Sequence, residues 1–421
     1  MRSETDAQAA GRAHRTREKF RTSKTGPRDT APENQQTSQP PDTEVSVPSS
    51  ARPPRHAGSQ RSSGRPAKSF HDPLEGIRRD GDPDVDIFLT GTVFFDIIFI
   101  GLEAPPQRGT EVWASGMGSG PGGVANMAVA CSRLGLHTSL AAAFGEDLYG
   151  DYCRQTLSIQ EGVDLTYSRY VTGWHSPVTV STVYDRDRTM VTHGHITDVQ
   201  ARLVGQPPRA RATFVDLGVE RQPWVDTIAA DGGLIFADLG WDPEARWDMG
   251  RLRESLSGCY AFSPNAVEAM SYTRTDSPIE AVKALSDLVP LAVVTCGSDG
   301  VIAHDRETDT IVHAPAVPVE AMDPTGAGDV FLAGLVTSTV AGWPVGQRLR
   351  LANLAAGLSV RHFGGALAAP GWGDIASWWA DTGSKDPALT EDYAFLDEIL
   401  PDYDVPEVSR AIATLGFRAG R

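Results

Sequence analysis

Short apolar runs recur along the middle of the chain, and longer amphipathic or apolar stretches separate them. DIFLTG near 86–91, HTSLAAAFG near 137–145, ATFVDLG near 212–218, GLIFADLG near 233–240, CYAFSP near 259–264 and LAVVTCG near 291–297 read as strands. VANMAVACSRLG, QPWVDTIAA, SPIEAVKALSDL and two successive segments from Asp329 to about His362 read as helices. Strands that are apolar throughout and alternate with helices predict an α/β fold, a central and mainly parallel sheet flanked by helices on both faces. Ligands then bind beyond the C-terminal ends of the strands. Two stretches break the rhythm. FFDIIFIG with TEVWASG, and SPVTVSTVYD with RTMVTHG, read as antiparallel ribbons, the second turning at Asp185 to Arg188.

Composition changes this picture mainly at the front. Residues 1–80 are rich in Arg, Ser, Pro, Gln and Thr. Phe20, Val45, Val47, Phe70, Leu74 and Ile77 are too few to offset the entropy of ordering, so a disordered basic extension is expected there. About 15 basic and 10 acidic residues lie in it, so the whole-chain net charge of −16 leaves the remainder near −21. The extension reads as a solvated tail, a surface for nucleic acid or an acidic partner, or sequence upstream of a later start codon than Met1. MRSETDAQ has no apolar core of a secretory signal, and no run of eighteen apolar residues spans a membrane. The acidic remainder, without basic patches interleaved with aromatics, disfavours nucleic acid. Cys131, Cys153, Cys259 and Cys296 lack paired spacing, which argues against zinc and against a disulfide framework and fits a reducing cytoplasm. The ten histidines show no metal spacing. TEDYAFLDEIL and PEVSRAIATLGF carry enough apolar periodicity for short helices in a C-terminal extension over 383–421.

The densest candidate chemistry is Asp323-Pro324-Thr325-Gly326-Ala327-Gly328-Asp329, which opens the apolar segment VFLAGLVTSTVAGW. Small residues let backbone amides approach a ligand, and a helix starting there aims unpaired N–H groups and its positive dipole end at that ligand. Asp329 sits where a carboxylate can take a proton from a hydroxyl while the amides of Gly326, Ala327 and Gly328 hold developing negative charge. The other reading is a tight turn capping a buried helix.

DPTGAGDVFLAGL closely resembles the C-terminal signature of the ribokinase-like carbohydrate kinases, the PfkB family. Gly122-Gly123-Val124-Ala125-Asn126, running into MAVACSRLG, resembles that family's N-terminal sugar-binding signature, with one residue fewer between the glycines and Ala-Asn. GEDLYGDYCRQTL, Gly162 to Asp164, Pro264 to Glu268 and Thr295 to Gly300 follow in the family's order. The resemblance covers about 300 residues and implies a ribokinase-like kinase domain over 81–382. It also implies that the two ribbons, about 92–118 and 176–195, form a small β-sheet lid over a sugar. It assigns Asp96, Gly122, Gly123 and Asn126 to the sugar, and Thr295, Gly297, Gly300, Thr325 and Asn353 to ATP. Asn265 and Glu268 would organise Mg²⁺ through water, and the segment Gly364 to Pro370 would serve a monovalent cation such as K⁺. Each has a plainer alternative: Asp96 as a solvated strand acid, Asn126 as a helix cap, Asn265 and Glu268 as a surface pair, and the 295–300 loop as a simple turn. His175, His193 and His195 read as lid or surface residues.

The implied activity is transfer of the γ-phosphoryl group of ATP to a primary or anomeric hydroxyl of a sugar or sugar-like molecule, by a chain that is monomeric or a homodimer. A nucleoside kinase of the same fold is the alternative, and a catalytically idle sugar- or nucleotide-binding regulator is the other class. Two rival nucleotide motifs fail. Gly118 to Gly123 satisfies GxGxxG, yet no apolar strand precedes it and no acid ends the next strand, so a nicotinamide cofactor is not expected. GxxxxGK[ST] is absent, which excludes a P-loop kinase.

Overall fold

The computed structural model describes residues 71–184, 187–195, 206–239, 246–401 and 404–408, all within one of the two units into which the chain divides, Gly64–Arg421. The expectations for residues 1–70, for the turn at 185–186 and for most of PEVSRAIATLGF lie outside the described residues.

Among the described residues, fourteen strands form three sheets. They are β1 (Val85–Thr90), β2 (Val93–Ile100), β3 (Gly116–Gly123), β4 (Thr138–Ala141), β5 (Ala143–Gly145), β6 (Arg169–Val171), β7 (Val178–Tyr184) and β8 (Asp187–His193). There follow β9 (Ala210–Asp216), β10 (Leu234–Asp238), β11 (Ala261–Phe262), β12 (Leu291–Thr295), β13 (Val301–Asp305) and β14 (Thr310–Ala314). The main sheet has eight strands in the order β14-β13-β12-β11-β10-β9-β1-β4, parallel from β12 to β4 and antiparallel at the β13 and β14 edge. Burial on both faces explains the apolar runs. Ile87 and Leu89 enter the core under helices Val124–Arg133, Ala327–Val340 and Val345–Ser359, while Phe88 between them enters the opposite core with Trp224, Val225 and Ile228. Successive strand residues point to opposite faces, so a strand covered on both sides has no polar alternate.

The two ribbons join into one four-stranded sheet, β3-β2-β7-β8, through a parallel β2–β7 contact. The partner of β2 is not TEVWASG, as the pattern suggested, but the glycine-rich Gly116–Gly123, which pairs with β2 along its whole length. Residues 137–145, read as one strand, divide into β4 and β5, and β5 turns away to pair with β6. The edge strands β13 and β14 were not anticipated.

The described parts of both expected extensions, residues 71–80 and 383–401, pack on the α/β body more closely than composition suggested. Leu74 is fully buried, and Arg78 forks onto the buried Asp86 while also holding Asp72, so the stretch from Asp72 to Arg78 is packed rather than solvated. At the other end, helix Pro387–Tyr393 packs back on the body: Tyr393 is buried against Trp378, with ring centroids 5.1 Å apart, and Asp392 pairs with Arg350. Among the described residues no helix is long and apolar enough to cross a membrane.

Candidate active site

Strands β1, β9 and β10 deliver their C-terminal ends to one side of the main sheet, and the chain leaving β1 runs directly into β2. Sequence order reverses between β4 and β9 on either side of β1, the place where open α/β sheets leave a crevice.

Asp329 lies in the first turn of helix Ala327–Val340, whose N-cap Gly326 is left-handed at φ 76°. That conformation suits glycine and turns the chain sharply enough to bring the first helical amides to the crevice. Asp329 keeps some exposure yet sits deep among protein atoms. Burial pushes its carboxyl up to about 6, opposed by a hydrogen bond from Asn126. In that bond Asn126 Nδ2 donates to Asp329 Oδ2 at 2.9 Å, joining residues from the two separately read motifs. Asp323, nearly fully buried, accepts from the Thr325 and Gly364 amides and so ties this loop to the Gly364–Ala369 turn.

On the lid side, Asp96 pairs with Gly120 in the β2–β3 ladder and its side chain reaches diagonally over Gly122, so closely that a β-carbon on Gly122 would lie 1.8 Å from Asp96 Oδ2. Gly123, at φ 65°, leads into helix Val124–Arg133, and a β-carbon there would strike the Thr92 carbonyl at 2.4 Å. The shortened signature is therefore a strand that becomes a helix with no intervening loop. His175, His193 and His195 are exposed at the base of the lid in a ladder of edge-to-face rings, as a surface role requires.

Asn265 and Glu268 do share a helix start, but their side chains already serve it. Asn265 Oδ1 accepts from the Glu268 amide at 3.0 Å and Glu268 Oε2 accepts from the Asn265 amide at 3.1 Å, a reciprocal capping box. Burial raises the Glu268 carboxyl above its ordinary range, with the Asn265 bonds opposing. Asn265 bridges to Thr295 at the end of β12, which leads into the Gly297–Asp299 turn. Gly300, at φ 94°, fits because a β-carbon would meet the Ala314 carbonyl at 2.2 Å. Asn353, from helix Val345–Ser359, donates to the same carbonyl at 2.9 Å and to that of Pro315 at 3.0 Å. Gly300 and Asn353 thus meet at the Ala314–Pro315 backbone, where the Asn353 amide is spent.

Two acids at the crevice escaped the sequence reading, Asp216 and Asp238, which end β9 and β10 in register. Burial pushes the Asp238 carboxyl well above the usual range; the Leu239 amide opposes this, and the charges of Glu268, Asp329 and Asp216 reinforce it. The available signal was FVD and FAD, an acid ending an apolar parallel strand where ligands collect. No group of three or more His, Cys, Asp or Glu among the described residues is arranged to hold a metal ion. Crowded carboxylates without a protein cage suit Mg²⁺, which is bound by one or two carboxylates together with water and phosphate oxygens.

The pfkB family carbohydrate kinase sequence model matches residues 89–207 and 226–371. A nucleoside kinase from Methanothermobacter thermautotrophicus is 27% identical over 318 residues, covering 72% of this chain and 99% of that protein. A fructokinase from Klebsiella pneumoniae is 30% identical over 278 residues, covering 59% and 85%. The fold is similar to that of Arabidopsis thaliana ribokinase complexed with ribose and ATP, at 23% identity and a TM-score of 0.56 over 69% of this chain and 96% of the other. With both signatures meeting in one crevice and the match running through most of the described residues, this chain belongs to the pfkB family of carbohydrate kinases.

Proposed function

We propose that this chain is an ATP-dependent kinase transferring the γ-phosphoryl group to a hydroxyl of a sugar or sugar-like small molecule, with Asp329 as the general base. The observation that carries the reading is the placement of Asp329: a partly buried carboxylate, poised near 6, in the first turn of a helix whose leading amides belong to small residues. At neutral pH it is mostly ionised, yet basic enough to accept a hydroxyl proton. The amides of Gly326, Ala327 and Gly328 face charge that grows on the transferring phosphoryl oxygens. Asp96, against Gly122, orients the acceptor through its hydroxyls. The Thr295–Gly300 turn, Thr325 and Asn353 shape the nucleotide side. Asp238 and Glu268 would hold Mg²⁺ through water, and when bound the ion neutralises phosphate charge in a chain whose acids outnumber its bases. The lid sheet excludes water from the acceptor.

The acceptor class has two supported readings. The fructokinase similarity favours a sugar, while the nucleoside kinase match over nearly its full length favours a nucleoside. A panel of sugars and nucleosides incubated with ATP and Mg²⁺, scored by ADP release, separates them. Failure of every acceptor, with ATP still bound, would favour a sugar- or nucleotide-binding regulator instead.

A further inference from the structure

We infer that the Ser263 hydroxyl holds a water molecule of the Mg²⁺ shell jointly with Asp238, which makes it a positioning residue for the metal–nucleotide complex. This rests on the reading of Asp238 and Glu268 as the acids that hold Mg²⁺ through water. Ser263 follows β11, and its amide donates to the Ala237 carbonyl at 3.1 Å. In the parallel β10–β11 ladder Phe236 pairs with Ala261 and Ala237 with Phe262, and that bond adds one more rung, Asp238 beside Ser263. Phe236 and Ala261 enter the core that helix Ala327–Val340 covers. Side chains alternate along a strand, so Asp238 and Ser263 point to that same side. Asp216 flanks Asp238 on the other strand, and the charges of Glu268 and Asp329 reach it. A neutral hydroxyl thus closes a row of acids at the crevice end of three parallel strands.

Ser263 is 5% exposed, and its Oγ, shut off from solvent, makes no hydrogen bond among the described residues. A serine hydroxyl in such a place ordinarily bonds to nearby backbone. Left unpaired and buried it costs free energy, so its position calls for a partner that arrives with a ligand. Asp238 is not that partner directly: its Oδ1 accepts from the Leu239 amide at 2.8 Å, and Ser263 Oγ stays unbonded beside it. Neighbouring strands lie about 4.8 Å apart. A water donating two hydrogen bonds of about 2.8 Å spans roughly 4.5 Å between its acceptors. The Asp238 carboxylate and the Ser263 oxygen therefore suit one bridging water. Mg²⁺ keeps several waters, and its charge makes each a strong double donor that needs two acceptors. A phosphate oxygen in the same place would lie against the Asp238 carboxylate, acceptor against acceptor.

The test is calorimetric titration of the full chain with ADP in EDTA and with ADP in excess Mg²⁺. The ratio of the two Kd values reports what the ion contributes, and no acceptor is needed. In Ser263→Ala that ratio should shrink by about three- to tenfold, with Kd for metal-free ADP within about twofold of wild type. Ser263→Thr keeps the hydroxyl and should retain the wild-type ratio. Asp238→Asn should also lower it, and the double variant should lose less than the two single losses combined, because both side chains hold one water. Equal weakening of ADP with and without Mg²⁺ would overturn the inference and make the hydroxyl a direct phosphate ligand. An unchanged ratio in Ser263→Ala, full additivity in the double variant, or a wild type whose ADP affinity ignores Mg²⁺ would overturn it as well. The kinase reading fails separately: no ADP release with any sugar or nucleoside, while Mg²⁺ still tightens ADP binding and Ser263→Ala still weakens that effect.

Discussion

The Asp96 carboxylate occupies the space that any side chain at position 122 would claim: a β-carbon on Gly122 would fall 1.8 Å from Asp96 Oδ2 and 2.4 Å from Cγ. Gly122 is paired with Phe94 in the β2–β3 ladder, so its backbone has little room to yield. The side chain of Asp96 must yield instead.

Gly122→Ala therefore tests the acceptor end of the site without deleting any functional group. Swinging Asp96 away removes a charged hydrogen-bond acceptor, at about 1.5–3 kcal/mol, or a ten- to over a hundredfold loss in kcat/KM for the acceptor. KM for ATP should hardly change, since Gly300 and Asn353, proposed for the nucleotide side, meet instead at Ala314 and Pro315. Asp96→Ala should reproduce this asymmetry. Steady-state kinetics with each substrate varied in turn will show it, and equal losses on both sides would refute the division of the site into two ends.

Asp329→Asn should lower kcat by about 10²–10⁴ while nucleotide binding survives. It should also stabilise the protein, for a reason that fixes the pH window. Burial raises the folded carboxyl from 3.8 to about 6, so the folded state prefers it neutral. The favourable contribution is complete below about pH 4 and is lost as pH rises through about 6. An uncharged Asn escapes that loss, so the variant should gain on the order of 1–3 kcal/mol at pH 7.5 and nothing near pH 4. Urea denaturation at the two pH values measures it; a gain that is the same at both would show that the charge is not responsible.

Which features were legible follows from physics. The core strands were plain because both faces are buried, as Ile87, Phe88 and Leu89 illustrate. β3 was not, because five of its eight residues are glycine, which weakens strand propensity, and pairing along the whole of β2 overrides it. Asn265 and Glu268 were rightly placed on one helix face, yet Asn-x-x-Glu at a helix start is also the sequence form of the capping box that the structure shows. Asp216 and Asp238 went unread, since only the parallel register sets them side by side. The contact between Asn126 and Asp329 spans 203 residues, and no local pattern encodes such a meeting.

The buried pair Arg133–Glu161 is a structural counterpart to these sites. Arg133 is fully buried, forks onto Glu161 at 2.8 and 3.0 Å, and donates to the Leu367 and Ala369 carbonyls. It thereby couples the helix bearing Asn126 to the turn bearing Gly365. Glu161→Gln leaves a guanidinium without its charge partner in the interior and should cost about 3–5 kcal/mol. Chemical denaturation checks this, and a cost below 1 kcal/mol would mean that water reaches the pair.

Where the N-terminal extension ends is open to a matched pair of truncations. Composition alone sets the boundary near residue 80, whereas the packing of Leu74 and Arg78 sets it earlier. A chain beginning at His71 retains Leu74 in the core and Arg78 on Asp86. It should melt within a few degrees of the full chain and keep its activity, because residues 1–70 have too little apolar surface to contribute. A chain beginning at Asp82 loses both contacts. Exposing the Leu74 site forfeits about 1.5–3 kcal/mol of apolar burial. Asp86, fully buried, keeps Arg211 and the His137 amide but loses the bidentate Arg78 fork, and breaking a buried ion pair adds about 3–5 kcal/mol. Together these approach the whole stability of an ordinary domain. The shorter chain should therefore be largely insoluble or melt far below the longer one. Thermal melts and ADP-release assays on the two chains give the answer, and equal stability would place the boundary at residue 80 after all.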